Sequence, residues 1–343
     1  MRYSRSHFVP GPREETMVYT TIVLSSGGVR GVAYAGAIDE LVRLAVVDLE
    51  HVTLFVGTSI GALFAAFLAV GMDTAAILAV AQTVDLANLV QVNLMTFLYA
   101  WGLDDKARLR AFVAQHVCAF TGSASTTLGA LLRSRGVNLR VCVSNLTLNR
   151  PEYFCGETVP DLGVVDAVLM SMALPPVFTP VTYRDMLYID GAFLDSFPLH
   201  GLDPASTLGL RLDWKVACNL TSVEQFYSRL VFCALRYAEK VHTGFDVVHI
   251  NVGNISTVNL TLPQWNLRCL VDDGRYAAGR FALHEALSRA LRKPAKEGVD
   301  LPKFVDDVHQ QEGDGSKEDK APCGDAGVPG KLHHTNKGQA QFP

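Results

Sequence analysis

Two strand-like runs, each closed by a glycine turn and followed by helix-forming sequence, constrain this chain more than anything else in it. Residues 20–25 (TTIVLS) are rich in β-formers and run into a turn with Gly27, Gly28 and Gly31, after which an Ala-rich segment extends to about residue 44. Residues 52–56 repeat the pattern, with a turn at Gly57 to Gly61 and helical sequence through Val70. A helix joining two buried strands returns the chain so that the strands lie side by side in parallel. The expected class is therefore α/β, with a mostly parallel central sheet.

The remaining periodicity fills in this frame. Residues 73–84, 106–120, 127–134 and 163–173 read as helices, the last stopped by Pro175 and Pro176, which fix φ and remove backbone donors. Residues 138–145, 183–189, 208–212 and 247–252 read as strands, and 223–240 and 275–291 as later helices. The apolar run 93–101 (NLMTFLYAW) fits either a core helix or a lipid-facing loop and stays unassigned. From about Pro294 the sequence turns to Gly, Lys, Asp, Glu and Pro, which cannot bury enough surface to offset ordering entropy. The expected division is a polar leader (1–19), a core (20–202), an α/β extension packed on it (203–293) and a disordered tail (294–343).

Composition narrows the functions. With 343 residues, 49% of them hydrophobic, the chain can bury a large core. A net charge of −4 without any Lys/Arg cluster excludes a phosphate-neutralising footprint, so nucleic acid is not an expected partner. The seven cysteines show no CxxC spacing and read as reduced thiols, mostly in the core. The polar N-terminus carries Pro10-Gly11-Pro12 where a signal peptide would be apolar, so a cytoplasmic location is expected. Residues 52–72 lack charge and approach the roughly 20 residues of a bilayer span. A glycine turn interrupts them, and a strand, a turn and a buried helix account for them better.

Gly57-Thr58-Ser59-Ile60-Gly61 fits G-x-S-x-G in the context that motif needs, after a buried strand and before a helix. A sharp turn there presents the Ser59 hydroxyl, and the flanking glycines remove Cβ atoms that would clash. Read blandly, the same residues are a tight turn with a capping Ser. The first turn, Ser25-Ser26-Gly27-Gly28-Val29-Arg30-Gly31, leaves backbone N–H groups free at a helix start, as an anion-binding loop does. Parallel strands end on one edge, so this loop and Ser59 can face one crevice. Dinucleotide binding is the competing use, but Ser26 replaces the first glycine, and Asp48 and Glu50 precede the next strand instead of ending it. A serine nucleophile needs a base. Asp190, followed by Gly191 and Ala192 at the end of a strand-like run, can emerge uncrowded and accept the Ser59 proton, although Asp-Gly alone is also a common turn.

The three pieces, SSGGVRG, GTSIG and DGA, resemble the patatin-like phospholipase family in type and order, and SMALPPVFTPV followed by YIDGAFLDSFPL resembles its segment around the catalytic Asp. The resemblance covers about residues 20–202. It implies a three-layer α/β/α fold and a lipid acyl hydrolase of phospholipase A type. Ser59 matches the nucleophile, Asp190 the dyad base, and the Gly27 and Gly28 amides the oxyanion hole. Arg30 matches the loop's basic position, and Ser26, Gly31, Gly57, Gly61 and Gly191 support the motifs. No metal or cofactor is implied. The implied partners are phospholipids or other acyl-glycerolipids, reached by peripheral membrane contact.

Ser26 departs from the family, which usually has the first of three glycines there. If that position takes a positive φ, the side chain costs about 1 kcal/mol, which leaves open a catalytically impaired member that binds lipid or protein. A Ser-Asp-His triad of the α/β-hydrolase type is also formally available through His200, His242, His249 or His284.

Overall fold

The computed structural model describes residues 19–213, 226, 229, 230, 233, 243–253, 255 and 262–292. All of them lie in the first of two units, Met1–Lys293 and Pro294–Pro343. The expected leader, apart from Tyr19, and the expected tail fall outside the described residues, as does most of the expected helix 223–240.

The chain opens as its sequence requires. β1 (Thr21–Leu24) leads through a 3-10 turn (Gly28–Val32) into α1 (Ala33–Arg43), and β2 (Leu54–Thr58) leads directly into α2 (Ile60–Ala69). β1 and β2 pair in parallel, with Leu24 opposite Gly57, so both turns leave the same edge of the sheet. The charge-free stretch 52–72 is thus a strand and a ten-residue helix, and no described helix is long and apolar enough to cross a membrane. α3 (Thr74–Thr83), α4 (Leu94–Ala100), α5 (Ala107–Thr121) and α6 (Leu128–Arg135) follow. The Asp73 and Thr127 side chains cap α3 and α6 by accepting backbone N–H groups.

β3 (Asn138–Asn145) lies parallel beside β2. β4 (Arg150–Phe154), absent from the sequence reading, pairs antiparallel with β3. α7 (Val164–Ser171) precedes a correction to the single strand expected at 183–189. Those residues belong to a hairpin of β5 (Val181–Tyr183) and β6 (Met186–Asp190), turned by Arg184 and Asp185 at positive φ. β7 (Thr207–Asp213) joins β1 in parallel and β8 (Asp246–Asn251) joins β7, giving the order β5-β6-β3-β2-β1-β7-β8. The result is the expected α/β fold, a mostly parallel central sheet flanked by helices.

After Leu202, β7 and β8 therefore extend the same sheet. α8 (Gln264–Arg292), three turns longer at its start than expected, packs along α1, where Gly36 and Gly274 allow the two backbones to touch. Strand alternation divides the core. Ile22, Leu24 and Phe55 join the main cluster with the helices, whereas Val23 and Val56 face the opposite side and pack with Phe197 and Leu199. The cysteines depart from expectation. Cys142 and Cys155 are buried, but Cys118, Cys233 and Cys269 are exposed, and Cys218 and Cys323 lie outside the described residues.

Candidate active site

Ser59 sits between β2 and α2 at φ 56° and ψ −124°, a conformation that an L-residue holds only under constraint from its surroundings. That constraint is visible on both sides. A Cβ on Gly57 would lie 2.3 Å from the Gly61 carbonyl oxygen, and one on Gly61 would lie 2.3 Å from the Leu24 carbonyl oxygen. The elbow closes only because both positions lack side chains. The Ser59 N–H donates to Ser171 Oγ at 2.8 Å, and the Ser171 hydroxyl donates to the Cys142 carbonyl at 2.6 Å. Thr58 Oγ1 donates to the Asp195 carbonyl at 3.0 Å. The turn is thus pinned from α7 and from the segment after β6.

Asp190 ends β6, and pairing of Val143 with Asp190 carries its carboxylate to the elbow. Ser59 Oγ donates to Asp190 Oδ2 at 2.6 Å, and the Ala192 N–H donates to Oδ1 at 2.9 Å. Asp190 is buried, and desolvation pushes its carboxyl up to about 7 despite these two hydrogen bonds, which pull the other way. Gly191 follows in a close fit against the Cys142 carbonyl. A hydroxyl bonded to a carboxylate that titrates near neutrality can lose its proton to that carboxylate when an electrophile arrives.

The glycine loop approaches from β1. Gly27 is extended at φ 171°, and Gly28 takes φ 59°, the left-handed conformation glycine tolerates. Gly27 precedes and Gly28 opens the 3-10 turn, where the first backbone N–H groups have no intrahelical acceptor. Ser26 does not take a positive φ, so the strain considered for it from the sequence does not arise. Its N–H donates to the Ser196 carbonyl at 2.9 Å, and the two hydroxyls lie 2.7 Å apart. Arg30 is buried away from the crevice. Its Nε donates to the Ile255 carbonyl at 2.5 Å, and burial lowers its pKa to about 10. Gly31 packs on Ile60, joining the two turns.

Ser59, Asp190, Ser26, Gly27 and Gly28 meet on one cavity of about 150 Å³. Among the described residues its polar lining side chains are Ser26, Ser59, Asp190 and Ser196, and the other described lining residues are apolar or glycine, including Leu63, Phe64, Phe67, Leu109, Phe112 and Phe178. A wall of this kind can take a hydrocarbon chain, and the polar groups gather at the serine end. Of the histidines considered for a triad, His200 and His284 are exposed, and His249 on β8 bonds Asp213 at the end of β7 at 2.7 Å. None of these three lines the cavity, and His242 lies outside the described residues. Sequence reasoning missed Ser171 and Ser196, although both stand in the stretches around Asp190 that carry the family resemblance.

Fold, elbow serine and apolar cavity together have the features that a lipid hydrolase needs. The family follows from comparison, since a model described as patatin-like phospholipase matches residues 22–203, more than half of the sequence, and the chain belongs to that family. A probable lipid hydrolase, 463L, of Invertebrate iridescent virus 6 is 28% identical over 240 residues, covering 68% of this chain and 77% of that protein. An uncharacterized protein of Acanthamoeba polyphaga mimivirus is 24% identical over 181 residues, covering 52% of this chain and 59% of its own. Among solved structures, VipD from Legionella pneumophila shares the fold with a TM-score of 0.56 at 18% identity, over 78% of this chain and 67% of that one.

Proposed function

We propose that this protein hydrolyses fatty-acyl esters of phospholipids or related glycerolipids through a Ser59–Asp190 dyad. The observation that carries the reading is the 2.6 Å hydrogen bond from Ser59 Oγ to the buried Asp190 carboxylate at the polar end of an otherwise apolar cavity. Asp190 takes the Ser59 proton as Oγ attacks the acyl carbonyl, and the Gly27 and Gly28 amides hold the oxyanion. Collapse of the tetrahedral intermediate breaks the ester bond. Asp190 returns the proton to the leaving alcohol and leaves an acyl-Ser59 ester. Water, deprotonated by Asp190, then attacks that ester, and the fatty acid departs as Ser59 regains its proton. One oxyanion-hole donor is typically worth ~2.7–4 kcal/mol, so distortion of the glycine loop should cost activity steeply.

The name of the viral relative, a probable lipid hydrolase, supports the substrate class. A Ser-Asp-His triad gains no support from the described histidines, and an impaired oxyanion loop gains none from the backbone of Ser26. The test is fatty-acid release from mixed phospholipid vesicles by wild type, Ser59→Ala and Asp190→Asn, each checked for folding by circular dichroism. Turnover by wild type and its near-complete loss in both variants is expected. Equal release by all three would overturn the reading.

A further inference from the structure

Between residues 86 and 102 the chain leaves the cavity wall and comes back to it. Leu86, Leu89 and Val90 line the cavity. Val92 is then 71% exposed, Leu98 62%, Tyr99 80% and Trp101 64%, with Leu94 and Met95 exposed as well. The chain returns where the Asn93 N–H donates to the Leu103 carbonyl at 2.7 Å and the Leu103 N–H donates to the Pro176 carbonyl at 2.8 Å, next to the lining residues Val177 and Phe178. The core helix weighed for 93–101 is therefore absent. α4 is a seven-residue helix whose large apolar side chains face water.

The foot of this excursion is fixed. The buried Asp104 carboxylate accepts the N–H groups of Gln91 and Lys106, and the buried Lys106 ammonium donates to the Thr179 carbonyl and, at 2.9 Å, to Thr179 Oγ1. A rigid mount holds the exposed tip beside the cavity. No Asp, Glu, Lys or Arg occurs from Leu86 to Gly102. Soluble monomers rarely keep a contiguous patch of this kind unless something covers it.

The geometry points to α4 and its flanks as the surface that enters the acyl region of a lipid bilayer and holds the cavity against it. The occupant follows from continuity, because the same apolar chain runs from the wall of a cavity fit for acyl chains to the exposed tip. A substrate embedded in a bilayer passes from one to the other without crossing charge. Tyr99 and Trp101 at the end of α4 are the ring types that settle at the lipid–water boundary, and a neutral, aromatic-bearing apolar tip inserts without needing anionic headgroups. This inference rests on the acyl-hydrolase reading, and its test keeps the two separable.

Full-length Ser59→Ala protein, which leaves the lipid intact, is mixed with phosphatidylcholine vesicles carrying brominated acyl chains. Tryptophan quenching is expected, is expected to disappear in the added Trp101→Phe variant, and partitioning should weaken at least tenfold in Leu98→Ser/Trp101→Ser. Partitioning unchanged by those substitutions, or an unquenched Trp101, overturns the inference. So does a dimer in sedimentation that the same substitutions dissociate, with no vesicle binding, since a second copy would then cover the face. In the Ser59 background neither Leu98 nor Trp101 lines the cavity, so turnover of a monomeric short-chain ester should stay within about twofold while vesicle hydrolysis falls tenfold. Equal falls on both substrates also overturn the inference. Absence of any ester turnover counts against the acyl-hydrolase reading instead, while the quenching result decides the surface.

Discussion

Ser171 Oγ accepts the Ser59 amide N–H at 2.8 Å while donating to the Cys142 carbonyl at 2.6 Å, so one hydroxyl ties the elbow, the end of α7 and β3 together. The strained φ of Ser59 is held by this bond as well as by the missing Cβ atoms around it. Ser171→Ala would leave a buried N–H unsatisfied, a loss of ~1–3 kcal/mol. The expected result is a kcat lowered about tenfold with KM nearly unchanged, because Ser171 positions Ser59 and does not line the cavity. A raised KM at constant kcat would show that its role lies in substrate binding.

In the proposed mechanism Asp190 sets the pH dependence. Burial raises its carboxyl from the ordinary 3.8 to about 7, and only the ionised form can take the Ser59 proton. kcat/KM should fall about tenfold per pH unit below 7 and level off above it. A profile flat from pH 5 to 8 would remove Asp190 as the base.

The same shift has a consequence for stability with a fixed sign. A raised folded-state pKa favours the protonated form, so its contribution is complete below the unfolded value near 3.8 and is lost as pH rises through about 7. Above pH 7 the fold therefore carries a buried negative charge. Asp190→Asn should raise Tm at pH 8 by several degrees, at ~2–4 °C per kcal/mol for a domain of this size, and by less at pH 5. Thermal denaturation at the two pH values measures it, and a lower Tm at pH 8 would contradict the assignment.

Much of this was legible in the sequence, and the exceptions share a physical reason. β1 and β2 are buried, largely apolar strands with a clear signal, and β3, buried at every position but Arg140, has the expected bounds residue for residue. β4 was invisible because it pairs only with β3 and begins Arg150-Pro151-Glu152, with little apolar alternation. The β5–β6 hairpin read as one strand because its turn is Arg184-Asp185, without the glycine that usually marks such a reversal. α4 shows the opposite failure. Its residues are apolar, and apolarity alone does not distinguish a side chain packed inside from one held out for a partner. For the site, Ser59, Asp190 and the glycine loop were visible as motifs, whereas Ser171 and Ser196 become visible only through what they touch.

Ser26 gives a prediction that the structure reverses. A serine forced into a positive φ would make Ser26→Gly an activating change. Here Ser26 has no such φ, and its hydroxyl pairs with Ser196 at 2.7 Å. Ser26→Gly should leave kcat within about threefold and cost no more than ~1 kcal/mol of stability, the size of one net hydrogen bond. A tenfold gain in kcat would show that the loop is strained after all.

In the proposed mechanism the Ser59 hydroxyl, activated by Asp190, forms the covalent intermediate. A long-chain fluorophosphonate ester reacts with an activated serine and stays attached. Mass spectrometry of peptides after inactivation should find one adduct, on Ser59, in proportion to the activity lost, with labelling at least a hundredfold slower in Asp190→Asn. An adduct on Ser26, Ser171 or Ser196 that tracks the loss, or hydrolysis that continues with Ser59 fully labelled, would contradict the account.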